Sequence, residues 1–345
     1  MFETFGFETL TAPQAAVFFA LALGALFGVL AERTKFCFRR ALVGEDRRQA
    51  MGIWLTALAV SVLGTQGAVA MDWISFEDHR FLASDLPVAA LVIGGALFGA
   101  GMVLTRGCAS RLTVLAATGN LRAWTVLAVF AIAAHAMLKG VLAPVRTGLG
   151  SWTVSLDSAA LPGSAMVWTA AIAVLALAYA ARSGNRPLPL LGAALLGALV
   201  PLGWVGTGFV LYDDFDPVAM ESLAFTSTWS DTLFYLIAST SIPAGFGAGL
   251  IGGVLVGSFV SALAARRLAW TSFTSPRETG RYMTGAVLMG VGGVLAGGCT
   301  VGAGLSGVPT LAIAPVLAIL SIAAGALATQ AALKGALQGA LHPAE

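Results

Sequence analysis

Three cysteines, Cys37, Cys108 and Cys299, are the residues of this sequence whose type and placement best suit chemistry. A thiol is a weak S–H donor and a soft, polarizable acceptor. Set in series, thiols offer a sulfur-terminated anion a row of weak contacts, and conduction favours sites that bind without holding. An odd number of cysteines, none in a CxxC pair, does not suit a disulfide framework. The plainer reading is that the three are small core residues.

Gly107-Cys108 and Gly298-Cys299 each stand where an apolar stretch stops. Ala109-Ser110-Arg111 follows the first, and Thr300-Val301-Gly302-Ala303-Gly304 follows the second. A short span interrupted by glycine at matching places in two parts of a chain predicts a broken or re-entrant helix. The N-terminus of the second piece offers free N–H groups and a positive dipole end, which suit an anion. Gly107, Ser110, Arg111, Gly298, Thr300 and Gly302 are therefore candidate supports of a substrate path. Lys35 and Arg106, two residues before Cys37 and Cys108, join them. With Arg39 and Arg111 they also fit ordinary anchoring of helix ends.

The elements that must hold these residues are membrane helices. Of 345 residues, 58% are hydrophobic and only 10% charged, against about 25% charged in soluble domains. Mean hydropathy is +0.87. Apolar stretches of about 20 residues cross a bilayer, and their backbone must satisfy itself there. Nine spans are expected, near 13–31, 51–71, 87–104, 123–142, 165–182, 188–211, 232–263, 282–297 and 308–334. The seventh is over-long, and Pro243 suggests a short lead-in helix before the true span. Glu3 and Glu8 precede the first apolar run without a basic region, so it reads as a retained span and not a signal peptide. Sixteen of the 19 Lys and Arg residues fall on alternate loops, which the positive-inside rule assigns to the cytoplasm. The opposite loops keep Arg80, Lys139 and Arg146 and carry Asp72, Glu77, Asp78, Asp213, Asp214 and Asp216. The expectation is a multi-pass protein of a bacterial inner membrane, N-terminus periplasmic and C-terminus cytoplasmic.

The chain repeats itself. GALFGVLAERTKFCFRR (24–40) matches GALFGAGMVLTRGCASR (95–111) at eight of 17 positions, including Cys37 over Cys108. GAGMVLTRGC (99–108) matches GVGGVLAGGC (290–299) at six of ten, 191 residues later. The second pair runs in opposite directions in the expected topology. Residues 13–142 and 188–334 then form inverted halves, with 165–182 as the joint, a layout of secondary transporters. The fourth equivalent position falls near Val210, without a cysteine.

At GALFGVLAERTKFCFRRAL, GAGMVLTRGCASRL and GVGGVLAGGCTVGAGLSG the chain resembles the YeeE/YedE family of sulfur-transport proteins. The resemblance covers nearly the whole chain. It implies an all-α, polytopic, hourglass-like inner-membrane importer of thiosulfate, with short broken helices. It also implies that Cys37, Cys108 and Cys299 mark the conduction path, the substrate passing between thiols without a covalent persulfide. Some relatives work with a cytoplasmic TusA-like sulfur carrier, or are linked to selenium or other sulfur species. No carrier tail is expected here, since the last span ends close to the end of the sequence.

Other classes are open. A membrane thiol redox enzyme would want a CxxC or an exchanging pair. A soft-metal transporter would want Met-rich or His-rich motifs. An accessory subunit would carry its cysteines as filler. No nucleotide-binding loop is present, and no cofactor or nucleic-acid partner is expected. His135 reads as a packed or hydrogen-bonded residue, Glu32 as an ion-pair partner of Arg33, and His79 as a loop residue without a role.

Overall fold

Long runs of Ala, Leu, Val and Gly have one stable backbone solution in hydrocarbon, the helix. The computed structural model of the chain is built almost wholly of helices. It describes residues 10–213 and 215–341, with side chains as far as 335. Glu3, Glu8 and Asp214, used above for the N-terminus and the orientation, lie outside the described residues.

In chain order come α1 (Ala12–Thr34), α2 (Phe38–Val43) and α3 (Arg47–Ala70), then the two-residue strand β1 (Asp85–Leu86). Next are α4 (Val88–Leu104), α5 (Ala109–Ala117), α6 (Leu121–Leu138), α7 (Ala143–Gly150) and β2 (Val154–Ser155), which pairs antiparallel with β1. After α8 (Ala165–Arg182), α9 (Pro187–Val205) runs into a π turn at Gly206–Val210. Then come α10 (Ser227–Ala238), α11 (Phe246–Ala264), α12 (Pro276–Leu295), a π segment at Thr300–Gly307, and α13 (Ile313–Leu341). Among the described residues nine spans are long and apolar enough to cross a membrane. The protein is all-α and polytopic, as the sequence indicates.

Two boundaries differ in an instructive way. The eighth span was expected at 282–297 and short. Instead α12 has 20 residues and starts at Pro276. Ser275 caps it, its Oγ accepting the Glu278 N–H at 3.2 Å, and proline fits a first turn. The polar first turn around Arg277 and Glu278 reads as loop by hydropathy alone, but the cap makes it helix. The over-long seventh stretch divides into α10 and α11 on either side of Pro243.

The GALFG repeats are packing devices. Helix α1 lies along α11, α4 along α13, α9 along α3, and α12 along α6. The pairs α1–α9 and α4–α12 also meet. A Cβ on Gly28 would stand 2.5 Å from the Val254 carbonyl oxygen of α11. Gly253 in turn lies against the Leu21 carbonyl of α1, and Gly99 against the Ile322 carbonyl of α13. In lipid, where tails are as apolar as leucine, close backbone approach through small residues is what holds helices together. Helix α8 stands apart. It packs on α3 through Ala173, Ala176 and Ala180, while Val167, Val174 and Leu175 point outward.

The Gly253→Val protein should show a lower apparent melting temperature in detergent, because overpacking typically costs about 1–3 kcal/mol. Gly252→Ala, where nothing stands within reach of a Cβ, should melt like the parent. Equal melting of all three would remove this contact from the account of stability.

Candidate functional site

Each cysteine sits in the same backbone turn. Helix α1 ends at Lys35, whose φ is 53°, then Phe36, then Cys37 as the N-cap of α2. Helix α4 is followed by Arg106 (φ 58°), Gly107 and Cys108, the N-cap of α5. Helix α12 is followed by Gly297 (φ 70°), Gly298 and Cys299, the N-cap of the π segment. In the first two turns the residue after the left-handed one donates back to close the helix: Phe36 to the Ala31 carbonyl at 3.2 Å, Gly107 to Met102 at 3.1 Å. This is the Schellman pattern, which satisfies carbonyls that the helix end would orphan. A left-handed conformation costs a non-glycine residue on the order of 1 kcal/mol, so Lys35 and Arg106 are held there by the turn. Their side chains are exposed and stand outside the buried thiol cluster.

The three thiols converge. Cys37, Cys108 and Cys299 are 7%, 1% and 0% exposed. Cys37 and Cys108 are neighbours close enough for their thiols to act on each other. Cys37 therefore faces its neighbour in the interior. The Cys108 thiol also meets the Ser110 hydroxyl at 3.3 Å. The Thr300 hydroxyl, which has no partner of ordinary geometry, faces Cys108. The Gly302 N–H donates to the Cys299 sulfur at 3.4 Å. The Arg111 guanidinium interacts with both Cys37 and Cys108. Of the expected supports, Ser110, Arg111, Thr300 and Gly302 gather here. Gly107 and Gly298 shape the turns.

A fourth break was missed. After the π turn at Gly206–Val210 the chain leaves the helix, and Leu223 and Phe225 plunge to full burial before α10 starts. Thr226 is the N-cap there, so the place that the thiols hold elsewhere is taken 16 residues beyond Val210. The signal was available. The 191-residue offset that links Cys108 to Cys299 carries Cys37 to Thr228, two residues past this cap.

At the acidic end of the helices lies a cavity of about 510 Å³. His79, Arg80 and Trp204 line one part of it, Glu221 and Thr226 another, and it reaches Gly298 and Gly302 beside Cys299. Trp204 Nε1 and Thr226 Oγ1 are buried there without a hydrogen-bond partner, and buried polar groups rarely go unpaired. The His79 ring is boxed by Phe81 at 4.7 Å, Trp204 at 5.3 Å and Phe76 at 5.9 Å. Burial first, and Arg80 second, push its pKa down to about 4. Sequence reasoning gave His79 no role. The aromatic flanks in Phe76-Glu77-Asp78-His79-Arg80-Phe81 were the hint that this loop folds inward.

Two other expectations hold. His135 Nδ1 pairs with the Ser230 hydroxyl at 3.0 Å and stacks on Phe234. Glu32 pairs with Arg267 at 3.0 Å and with Arg33 at 3.6 Å, and accepts the Ser261 hydroxyl at 2.9 Å.

Comparison with known proteins adds to this geometry. The profile of a family described as sulphur transport matches residues 33–189 and again 179–328. A protein of Escherichia coli K12 named thiosulfate transporter TsuA is 26% identical over 317 residues, covering 83% of this chain and 85% of that protein. A protein of Spirochaeta thermophila with the same name is 26% identical over 318 residues, covering 86% and 93%.

The depressed pKa of His79 has a signed consequence. The unfolded chain takes up this proton near pH 6.5 and the folded chain only near 4. Stability present above about pH 6.5 is lost as the pH falls toward 4. His79 Nδ1 accepts the Phe81 N–H at 3.3 Å, a task asparagine performs well at an N-cap. His79→Asn should therefore show a shallower fall of apparent melting temperature than the parent between about pH 6.5 and 4.5. Parallel slopes would remove His79 as the source.

Proposed function

We propose, from the premise that this chain belongs to the sulphur transport family, that it is an inner-membrane permease importing thiosulfate or a closely related sulfur anion. The path starts in the cavity at the acidic end. It passes Cys299 at the Gly298–Gly302 turn, then Cys108 and Cys37, and leaves among the cationic side chains of the basic end. The observation that carries this reading is the convergence of three buried thiols, each the N-cap of the second piece of a broken helix. At α5 and at the π segment the first N–H groups have no helical acceptor, and they favour negative charge. The sulfur end of thiosulfate meets soft S–H groups, while its oxygens meet N–H, hydroxyl and Arg111 donors. Sulfate offers only oxygens and gains less from the thiols.

The same proposal treats residues 13–142 and 188–334 as inverted halves joined by 165–182. Three observations support it. The left-handed residue, spacer and cysteine recur in both parts. The packing of α1 on α11 has its counterpart in α9 on α3, and that of α4 on α13 in α12 on α6. The family profile matches the chain twice. With the basic loops in the cytoplasm, the cavity opens to the periplasm.

Uptake of labelled thiosulfate tests the reading in cells that lack their own thiosulfate importers. At matched membrane expression the parent should take up label, and Cys108→Ser and Cys299→Ser should each lose roughly tenfold or more, about 1.4 kcal/mol of transition-state stabilisation. A well-expressed parent without uptake would falsify thiosulfate as the cargo. Uptake surviving both substitutions would leave a permease without a thiol relay.

A further inference from the structure

The path through the thiols leaves Glu221 unused, yet its backbone is clamped at the cavity. Its N–H donates to Thr207 Oγ1 at 2.9 Å, and its carbonyl accepts from the same hydroxyl at 2.8 Å. The clamp fixes the residue on the cavity wall. Among the described residues the carboxylate makes no ion pair.

The charges that face it can be named. Arg80, from the turn at Arg80–Leu82, attracts it, and Asp231 of α10 repels it. Asp78 and His79 line the same cavity. Lys139 and His135, on the α6 side, act on Asp231. Burial is the largest influence on Glu221 and raises its pKa, Asp231 raises it further, and Arg80 opposes both. His79 is neutral near pH 7.

A sulfur dianion of the thiosulfate kind therefore enters a cavity lined by one guanidinium, of Arg80, and two carboxyl groups, those of Asp78 and Glu221, whose negative charge repels it. Thr226 Oγ1 and Trp204 Nε1, buried and unpartnered in the same cavity, offer donors to an anion but do not cancel that repulsion. A proton on Glu221 cancels half of the negative charge and turns the carboxyl from an acceptor into a donor. Burial already favours the neutral acid.

Resting on the permease reading above, we propose that Glu221 is a proton-binding site linked to anion occupancy: the carboxylate takes a proton from solvent as the dianion enters the cavity and returns it as the anion leaves. No bond other than O–H forms or breaks. By reciprocity, the anion raises the proton affinity of Glu221 by the factor by which the proton raises anion affinity.

Calorimetry on the purified full-length protein with sodium thiosulfate, in two buffers of different ionisation enthalpy, reads both halves of the linkage. Between about pH 6 and 8 the parent should bind with proton uptake, and its affinity should fall by about tenfold or more as the pH rises. Glu221→Gln should bind without proton uptake and with flat affinity, while Asp157→Asn, at an exposed carboxylate away from the cavity, keeps the parental slope. A pH-independent parent, or a Glu221→Gln protein that keeps the slope, overturns the proposal. If thiosulfate gives no heat with the parent, the cargo assignment fails, and infrared titration then decides the proton site alone. A protonated-carboxyl band above about pH 6 that vanishes in Glu221→Gln upholds it, and no such band overturns it.

Discussion

A helix that stops inside a bilayer leaves carbonyls on one side of the gap and N–H groups on the other, with no water to take them. Everything near the thiols follows from meeting that requirement. A left-handed residue folds the first helix end back on itself, and Phe36 and Gly107 close two of the orphaned carbonyls. The N–H groups of the second pieces remain. A cysteine, not a strong side-chain acceptor, holds each N-cap, and of the three sulfurs only that of Cys299 takes up an N–H, that of Gly302. The interior keeps unspent donors where a soft anion can use them. The cost of four chain breaks in the core is carried by the surrounding helices. Their glycines bring α1 onto α11 and α4 onto α13 at backbone distance, and they seal the breaks from lipid.

The nine spans were legible because hydropathy and length are direct consequences of bilayer thickness. The thiol turns were legible because Gly107-Cys108 and Gly298-Cys299 interrupt apolar runs at matching places. What stayed hidden depends on other physics. The start of α12 is set by a Ser275 cap and a proline, which outweigh three charged residues, Arg277, Glu278 and Arg281, that hydropathy reads as loop. The fourth break carries threonine in place of cysteine, and a polar loop displaces it from the helix it follows. A search for cysteines and a search for apolar runs both step over Thr226. Lys35 and Arg106 were legible as cations but not as left-handed residues, since their side chains say little about the φ angle the turn imposes. The inward fold of Phe76–Phe81 needed aromatic packing on Trp204, a contact 120 residues away in the chain.

The cavity and the thiol cluster divide the electrostatic labour. The cavity mixes Arg80 with carboxyl groups and a neutral histidine, so its net field is weak and adjustable. The buried cluster has Arg111 beside two thiols, with the Glu32 carboxylate acting on the same guanidinium. On the proposed path, an anion would pass from a region of mixed charge to the Arg111 guanidinium and the soft thiols. Beyond them, Arg40 paired with Asp46 and Arg122 paired with Glu278 leave part of the basic end's cationic charge already neutralised. That limits how tightly the far side can retain an anion.

Helix α8 has a consequence for chain connectivity. Its main packing is on α3, with Ala173, Ala176 and Ala180 buried and Ile172 against the core, while most of its other side chains face outward. None of the helices that carry the thiol turns packs chiefly on it. The helices that embrace the thiols are instead locked across the molecule, α1 with α11 and α4 with α13, so neither part of the chain has a complete interior without the other. On the proposal of two inverted halves, α8 is then chiefly their covalent link. Two separate polypeptides meeting side by side in the membrane would find the same packing, and an ancestor assembled from two chains would need no redesign of its core to become this one.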